Sequence, residues 1–311
     1  MAENCLATVK ENIKKVIKGK DEIIDLMLIS LICSGHIIIE DLPGLGKTTL
    51  AAALAQSLGC DFQRIQFTPD VLPSDITGFN IFDIKTGHPR FQKGSIHNQI
   101  ILADEINRAG PKTQSALLEA MQEGQVTVDG ATYPLPRPFM IMATQNPVDM
   151  AGTYPLPEAQ LDRFLMKLSL GYPDENIEAD IIRSNIAVNE KVKLFPVTTA
   201  ENIVEIQNYV KEIYIDDRLV EYIVSIVSET RNYENVLVGV SPRGSIALAK
   251  AACAMAILNN RSYVLPDDIK YLAPYVLAHR MIMKKHRSED GQSAAEVINE
   301  ILNTIAVPQT I

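Results

Sequence analysis

The chain has 311 residues, 47% of them hydrophobic and 22% charged, with a net charge of −9 and a pI near 5.2. That length suits one large domain or two ordinary ones, and the acidic balance argues against a general binder of nucleic acid or anionic membrane. Four scattered cysteines without a C-x-x-C pair argue against disulfides and zinc.

Residues 1–20 carry a helical apolar rhythm without the continuous apolar stretch of a signal peptide. The run "IIDLMLISLICSGHIII" is broken by Asp25, Ser34-Gly35 and His36. It reads as a buried helix followed by a short buried strand, "HIIIE" (36–40), and is too broken for a membrane span. Further strands are expected at 61–67, 99–105, 139–146 and 164–170. Helices should begin at Lys47, at Pro111 and near Pro157, the second of them ending near Gly124. Strands alternating with helices predict an α/β fold with a parallel sheet. Two insertions interrupt it. Residues 68–98 contain two short strands around Lys85-Thr86-Gly87, and "GQVTVDGATYPL" places Asp129-Gly130 at the turn of a hairpin. After "GYPDE" (171–175) strand signals vanish, so an all-helical second domain is expected to begin between residues 172 and 198. Of the five histidines, His36 reads as structural, and His88 and His97 as surface residues. The run "KKHRSED" (284–290) reads as a solvated turn.

The stretch "EDLPGLGKTT" (40–49) follows a buried strand and opens an amphipathic helix, the context of a phosphate-binding loop. Gly46, Lys47 and Thr48 match the second half of G-x-x-x-x-G-K-[ST], while Asp41 stands where the first glycine belongs. That position is where the chain leaves the strand, and Gly44 and Gly46 occupy the part that must approach phosphate. An outward-pointing Asp41 therefore leaves the cradle intact. Backbone N–H groups of Pro43–Thr49, Pro43 itself excepted, would wrap the phosphates, with Lys47 as a point charge and Thr48 as a magnesium ligand. Downstream, "QIILADEINRA" is an apolar strand ending in Asp104-Glu105 that can lie beside the loop's strand. Asp104 would then orient Mg²⁺ and Glu105 would polarise the attacking water. A third strand ends in Asn146, at the edge where ligands bind in open parallel sheets, so its amide could hold that water.

The segments "LPGLGKT", "LADEINRAGPKTQSALLEAMQEGQVTVDG", "ATQNPVDMAGTYPLPEAQLDRF" and "GVSPRGSIALAKAACAMAIL…YVLPDDI" together resemble the MoxR family of AAA+ ATPases, over nearly the whole chain. The resemblance implies a P-loop AAA+ core over residues 1–172 with inserted hairpins and a helical lid over 173–311. It implies ATP and Mg²⁺ as cofactors, with Pro43, Gly44, Leu45, Gly46, Lys47, Thr48 and Thr49 as the nucleotide loop. Asp104 and Glu105 match the Walker B acids, and Asn146 matches sensor 1. Arg163 in "LPEAQLDRF" matches the arginine finger that enters a neighbour's site, and Arg243 in "SPRG" matches the sensor 2 arginine. Such proteins are expected to be cytoplasmic, as a homo-oligomer, a hexameric ring, that remodels, matures or activates a client protein, often one with a von Willebrand factor A domain or bound metal. A magnesium-chelatase-like or DNA-remodelling AAA+ motor is the alternative, and the acidic charge disfavours the DNA motor. A nucleotide switch without turnover is disfavoured by intact Glu105 and Asn146, and a small-molecule kinase would not need the helical second domain.

Overall fold

The computed structural model describes residues 2–84, 87–147, 152–186, 192–284 and 292–308; Lys85-Thr86 of the expected hairpin tip and residues 285–290 of the charged run lie outside the described residues. The chain opens with helices α1 (Ala2–Lys14) and α2 (Asp21–Ile32), strand β1 (Ile37–Glu40), helix α3 (Lys47–Leu58) and strand β2 (Phe62–Gln66). The first insertion comprises a short helix α4 (Pro73–Thr77) and the hairpin β3 (Gly78–Asp83) and β4 (His88–Lys93). Strand β5 (Ile100–Asp104) and helix α5 (Pro111–Glu123) lead into the second hairpin, β6 (Gln125–Val128) and β7 (Ala131–Pro134). Strand β8 (Met140–Gln145), helix α6 (Glu158–Leu161) and strand β9 (Met166–Leu168) complete this part.

The five long-range strands form one parallel sheet in the order β2-β5-β8-β1-β9. All five expected strands are present, but the expected adjacency of the loop's strand and the Asp104 strand is wrong. Strand β8 lies between β1 and β5, pairing Ile37 with Met142 on one side and Leu102 with Met142 on the other. Local pattern reports that a strand is buried on both faces and says nothing of its lateral neighbours.

Alternation along these strands divides the interior in two. Ile37, Ile39, Ile100, Leu102, Met140 and Met142 face one apolar cluster; Ile38, Ile101, Ala103, Ile141 and Ala143 face the other. The second cluster is closed by α5 and the insertions, through Phe67, Ile76, Leu117 and Val126. The chain then enters helix α7 (Glu175–Ile186), which among the described residues adds none to either cluster. The first cluster continues through α1–α3 into the C-terminal helices α8 (Ala200–Tyr209), α9 (Asp217–Asn232), α10 (Pro242–Leu258), α11 (Pro266–Leu277) and α12 (Ala294–Thr304).

The C-terminal part is not wholly helical. Strands β10 (Val236–Val238) and β11 (Ile282–Met283) pair antiparallel. Runs of three and two residues are too short to carry a readable period, and their partners are distant in sequence. Among the described residues no helix is long and apolar enough to cross a membrane.

The hairpins dock on one another: Phe91 stacks on Tyr133 with ring centroids 3.8 Å apart, and Asn80 Nδ2 donates to Asp129 at 2.9 Å. Asp129 and Gly130 both adopt positive φ at the tight turn the sequence predicts. His88 is exposed, as expected, but His97 is half-buried at the base of the first hairpin, 3.2 Å from Thr77 O. His36 is buried. Its Nδ1 accepts from Ile141 N at 3.0 Å, and its Nε2 donates to Met121 O at 3.1 Å.

Candidate functional site

The parallel strands end at nearly one level, with Glu40 opposite Gln145 and Gln66 opposite Asp104. The residues that follow therefore emerge together at the C-terminal edge of the sheet, where open parallel sheets bind ligands. A cavity of about 350 Å³ opens there, lined by Pro43, Gly44, Gly46, Lys47, Thr48, Thr49, Arg64, Gln66, Asp104, Glu105, Thr144 and Asn146.

Gly44 (φ +87°) and Gly46 (φ +88°) take the left-handed conformation, and a Cβ on either would meet no atom within 4 Å. Conformation rather than crowding demands glycine at both positions, and open space lies before the loop. Gly46 also caps α3, so the N–H groups of its first turn face the cavity edge. Lys47 Nζ donates to the carbonyls of Asp41 at 2.8 Å and Leu42 at 3.3 Å. Burial lowers its pKa, while Asp41, Asp104 and Glu105 hold it up.

The acids are braced by residues that motif reading did not find. Thr144 Oγ1 donates to Asp104 Oδ1 at 2.6 Å and accepts from Glu105 N at 2.8 Å. Arg64 donates to Asp104 Oδ2 through Nε at 3.1 Å and Nη2 at 2.6 Å. Gln66 Nε2 donates to Glu105 Oε2 at 3.0 Å, and Arg108 Nε lies 3.0 Å from the same oxygen. Glu105 itself sits at φ +56°, ψ +49°, a conformation costly for a non-glycine residue, which turns it out of β5 towards the cavity. The one local signal for Arg64 and Gln66 was their i, i+2 spacing on β2, and its meaning depends on the strand order.

Asp41 departs from expectation. Its side chain does turn away from the cavity, but inward: it is buried, with three hydrogen bonds to Ser169, Leu170 and Gly171.

Of the expected site residues, Pro43, Gly44, Gly46, Lys47, Thr48, Thr49, Asp104, Glu105 and Asn146 meet at this cavity, while Leu45, Arg163 and Arg243 stand outside its wall. Arg163 lies in the turn just after α6, where it lines a separate cavity of about 480 Å³ with Ser115, Glu119, Gln122 and Gln160. Its Nη1 donates to Leu118 O at 2.9 Å. Arg243, at the start of α10, is 3.5 Å from Asp162. Arg280, unremarked in the sequence, is almost wholly buried and binds the Asp162 carboxylate, the Asp162 carbonyl at 2.6 Å and the Phe164 carbonyl at 2.6 Å.

The donor set fits a nucleotide with a hard divalent cation. Thr48 and Asp104 offer oxygen ligands, and among the described residues no group of three or more His, Cys, Asp or Glu could hold a metal. Mg²⁺ in nucleotide sites is held in this way, by one or two protein oxygens with phosphate and water.

The family model described as "ATPase family associated with various cellular activities (AAA)" matches residues 36–166, and that of the AAA lid domain matches residues 228–301. The chain is 52% identical to the uncharacterised protein YeaC of Bacillus subtilis, over 97% of this chain and 95% of that one. It is 39% identical to Chaperone MoxR1 of Mycobacterium tuberculosis, over 96% and 81% of the two chains. A crystal structure of a Cytophaga hutchinsonii protein assigned as an ATPase superposes with a TM-score of 0.92 at 41% identity, covering 99% of this chain and 96% of the other.

Proposed function

Because the chain belongs to the MoxR family of AAA+ ATPases, we propose that it hydrolyses ATP with Mg²⁺ and uses the cycle to remodel, mature or activate a client protein. The observation that carries this proposal is the convergence of Lys47, Thr48, Asp104, Glu105 and Asn146 on one cavity at the C-terminal edge of the sheet.

In this proposal the loop over Pro43–Thr49 cradles the phosphates with its N–H groups, and Lys47 turns its ammonium to them. Thr48 and Asp104 hold Mg²⁺, which neutralises phosphate charge when bound. Thr144 orients Asp104 and, through its bond to the Glu105 amide, the backbone that carries Glu105. Glu105 polarises the attacking water, and the Asn146 amide fixes it against the γ-phosphate. Arg243 acts from the lid and Arg163 acts in the site of the adjacent subunit, each adding cationic charge near the transferred phosphoryl group.

The same reading divides the chain into an AAA+ core over 1–172 and a lid over 173–311. It makes the working form a cytoplasmic homo-oligomer, a hexameric ring. The client is a protein, with a von Willebrand factor A domain as the first candidate. The first hairpin, whose Phe82 and Ile84 are 68% and 91% exposed, is the client-facing element.

Turnover of Mg-ATP by the purified protein tests the chemistry. Lys47→Ala should abolish ATP binding, and Glu105→Gln should bind ATP and turn it over very slowly. Glu105→Gln loaded with ATP is then the bait for the client. Normal hydrolysis by Glu105→Gln would remove the base from this position.

A further inference from the structure

Asp41 replaces a phosphate-loop glycine, yet its backbone lies outside the left-handed region, so nothing in the local conformation calls for glycine. The residue is 7% exposed. A carboxylate that deeply placed needs donors, and it has them: Ser169 Oγ at 2.8 Å and Gly171 N at 3.3 Å on Oδ1, and Leu170 N at 2.5 Å on Oδ2. The carbonyl of the same residue accepts Lys47 Nζ at 2.8 Å, and its N–H donates to Gln145 O at 3.2 Å.

The residues gripped by the carboxylate join β9 to α7, the point at which the chain leaves the sheet for the C-terminal helices. That segment is held from its other side as well. Lys20, just before α2, donates to the carbonyls of Leu170 at 2.5 Å, Gly171 at 3.3 Å and Tyr172 at 2.9 Å. Peptide N–H groups thus face an anion and peptide C=O groups face a cation, around a left-handed bend at Gly171 (φ +62°). Close packing continues next door, where a Cβ on Gly19 would lie 2.1 Å from the Ile177 side chain of α7.

We propose that Asp41 is a positioning residue that couples the phosphate loop to the junction between the sheet and the C-terminal helices. One residue touches the phosphate lysine through its carbonyl and the junction through its carboxylate. Phosphate that recruits the Lys47 ammonium removes a donor from the Asp41 carbonyl, and the carboxylate, three bonds away within the same residue, carries that change to Leu170 and Gly171. Glycine at this position would keep the loop's conformation and lose the connection. The coupling rests on the nucleotide site proposed above; the clamp does not.

The test is residue-resolved amide hydrogen exchange on the full chain, with and without a non-hydrolysable ATP analogue and Mg²⁺. Without nucleotide, Asp41→Gly should speed exchange at Leu170 and Gly171 by about tenfold or more, and leave Ile141, bonded to His36 on a central strand, unchanged. Asp41→Asn, which keeps one carbonyl acceptor, should fall between the two and serves if the glycine variant does not fold. With nucleotide, exchange at Leu170 and Gly171 should change severalfold in the wild type. It should not change in Asp41→Gly, although that variant still binds the analogue. Wild-type protection in both variants would overturn the clamp, and an undiminished nucleotide response in Asp41→Gly would overturn the coupling. A wild-type chain that binds no analogue would instead overturn the nucleotide site, with the nucleotide-free comparison still deciding the clamp.

Discussion

Arg280→Met probes the best-built polar contact between the C-terminal helices and the sheet. The Arg280 side chain is 2% exposed. Besides Asp162 and Phe164, it donates to Val276 O at 2.7 Å and approaches Leu165 O at 3.4 Å. Burial pulls its pKa down and Asp162 holds it up. Methionine matches the length of the stem without the donors, so little cavity is added and the loss is chiefly polar. Breaking a buried ion pair costs about 3–5 kcal/mol, and each acceptor left unmet about 1–3 kcal/mol. Two partners soften the loss. Phe164 O keeps His279 Nε2 at 3.1 Å, and the Asp162 carboxylate, itself 21% exposed, keeps Arg243 at 3.5 Å. The lower end is therefore expected, about 3 kcal/mol. At about 2–4 °C per kcal/mol for a chain of this class, the midpoint should fall by about 6–12 °C.

Urea unfolding read by fluorescence or circular dichroism measures the first quantity, and calorimetry the second. A loss below about 1 kcal/mol would refute the account of Arg280 as a buried clamp. Function offers a second readout. Arg280 binds the residues on both sides of Arg163, so the folded variant should keep its ATP affinity and lose turnover. Turnover at the wild-type rate would show that the Arg163 turn needs no support from this arginine.

Mixing supplies the test of a shared site. Arg163→Ala and Glu105→Gln should each hydrolyse ATP poorly, and subunit exchange should restore part of the rate, because some interfaces then hold both an intact Arg163 and an intact Glu105; a co-assembled mixture as inactive as its parents would count against action in trans. Asn146→Ala should slow turnover less than Glu105→Gln at unchanged ATP affinity, and steady-state kinetics with a separate binding measurement will show whether it does. Stability should fall as pH drops from 6.5 to about 4, because burial depresses the His36 pKa to about 4 and the unfolded chain then binds a proton that the folded chain refuses. The His36 share amounts to about 3 kcal/mol at the bottom of that window, and a pH series of unfolding midpoints should be flatter for His36→Gln.

What the sequence made legible was local. "IIIE", "IILAD" and "MIMATQ" are apolar up to their last one or two residues because these strands are covered on both faces, and their polar ends mark the cavity edge. Gly46 and Asp129-Gly130 are readable because a positive-φ backbone selects those residue types, and Lys47-Thr48 because a phosphate site needs a cation and a hydroxyl there. Lateral strand order was not readable, and with it went Thr144, whose bonds to Asp104 and Glu105 exist only because β8 lies beside β5. Asp41 could be flagged as an oddity, but its partners are more than a hundred residues away. Arg280 looks in sequence like any basic residue near a helix end; its burial is set by packing against the turn at Asp162–Leu165.

Arg163, which stands apart from the phosphate-loop cavity, is joined to it along the chain through β9. This strand has three residues at the edge of the sheet and, among the described residues, pairs with β1 alone. Immediately before it, Arg280 and His279 of the C-terminal helices hold Asp162, Phe164 and Leu165 around Arg163. Immediately after it, Asp41 and Lys20 hold Ser169–Tyr172. Three residues of strand span about 10 Å. A shift imposed at the phosphate loop and a shift imposed by the C-terminal helices therefore act on opposite ends of the same short strand. Its pairing with Ile37–Ile39 resists stretching or slippage, since slipping by one residue would turn Met166 and Leu168 out of the core. The loop that would hold phosphate and the turn that carries Arg163 are thus joined by one short strand without sharing a cavity.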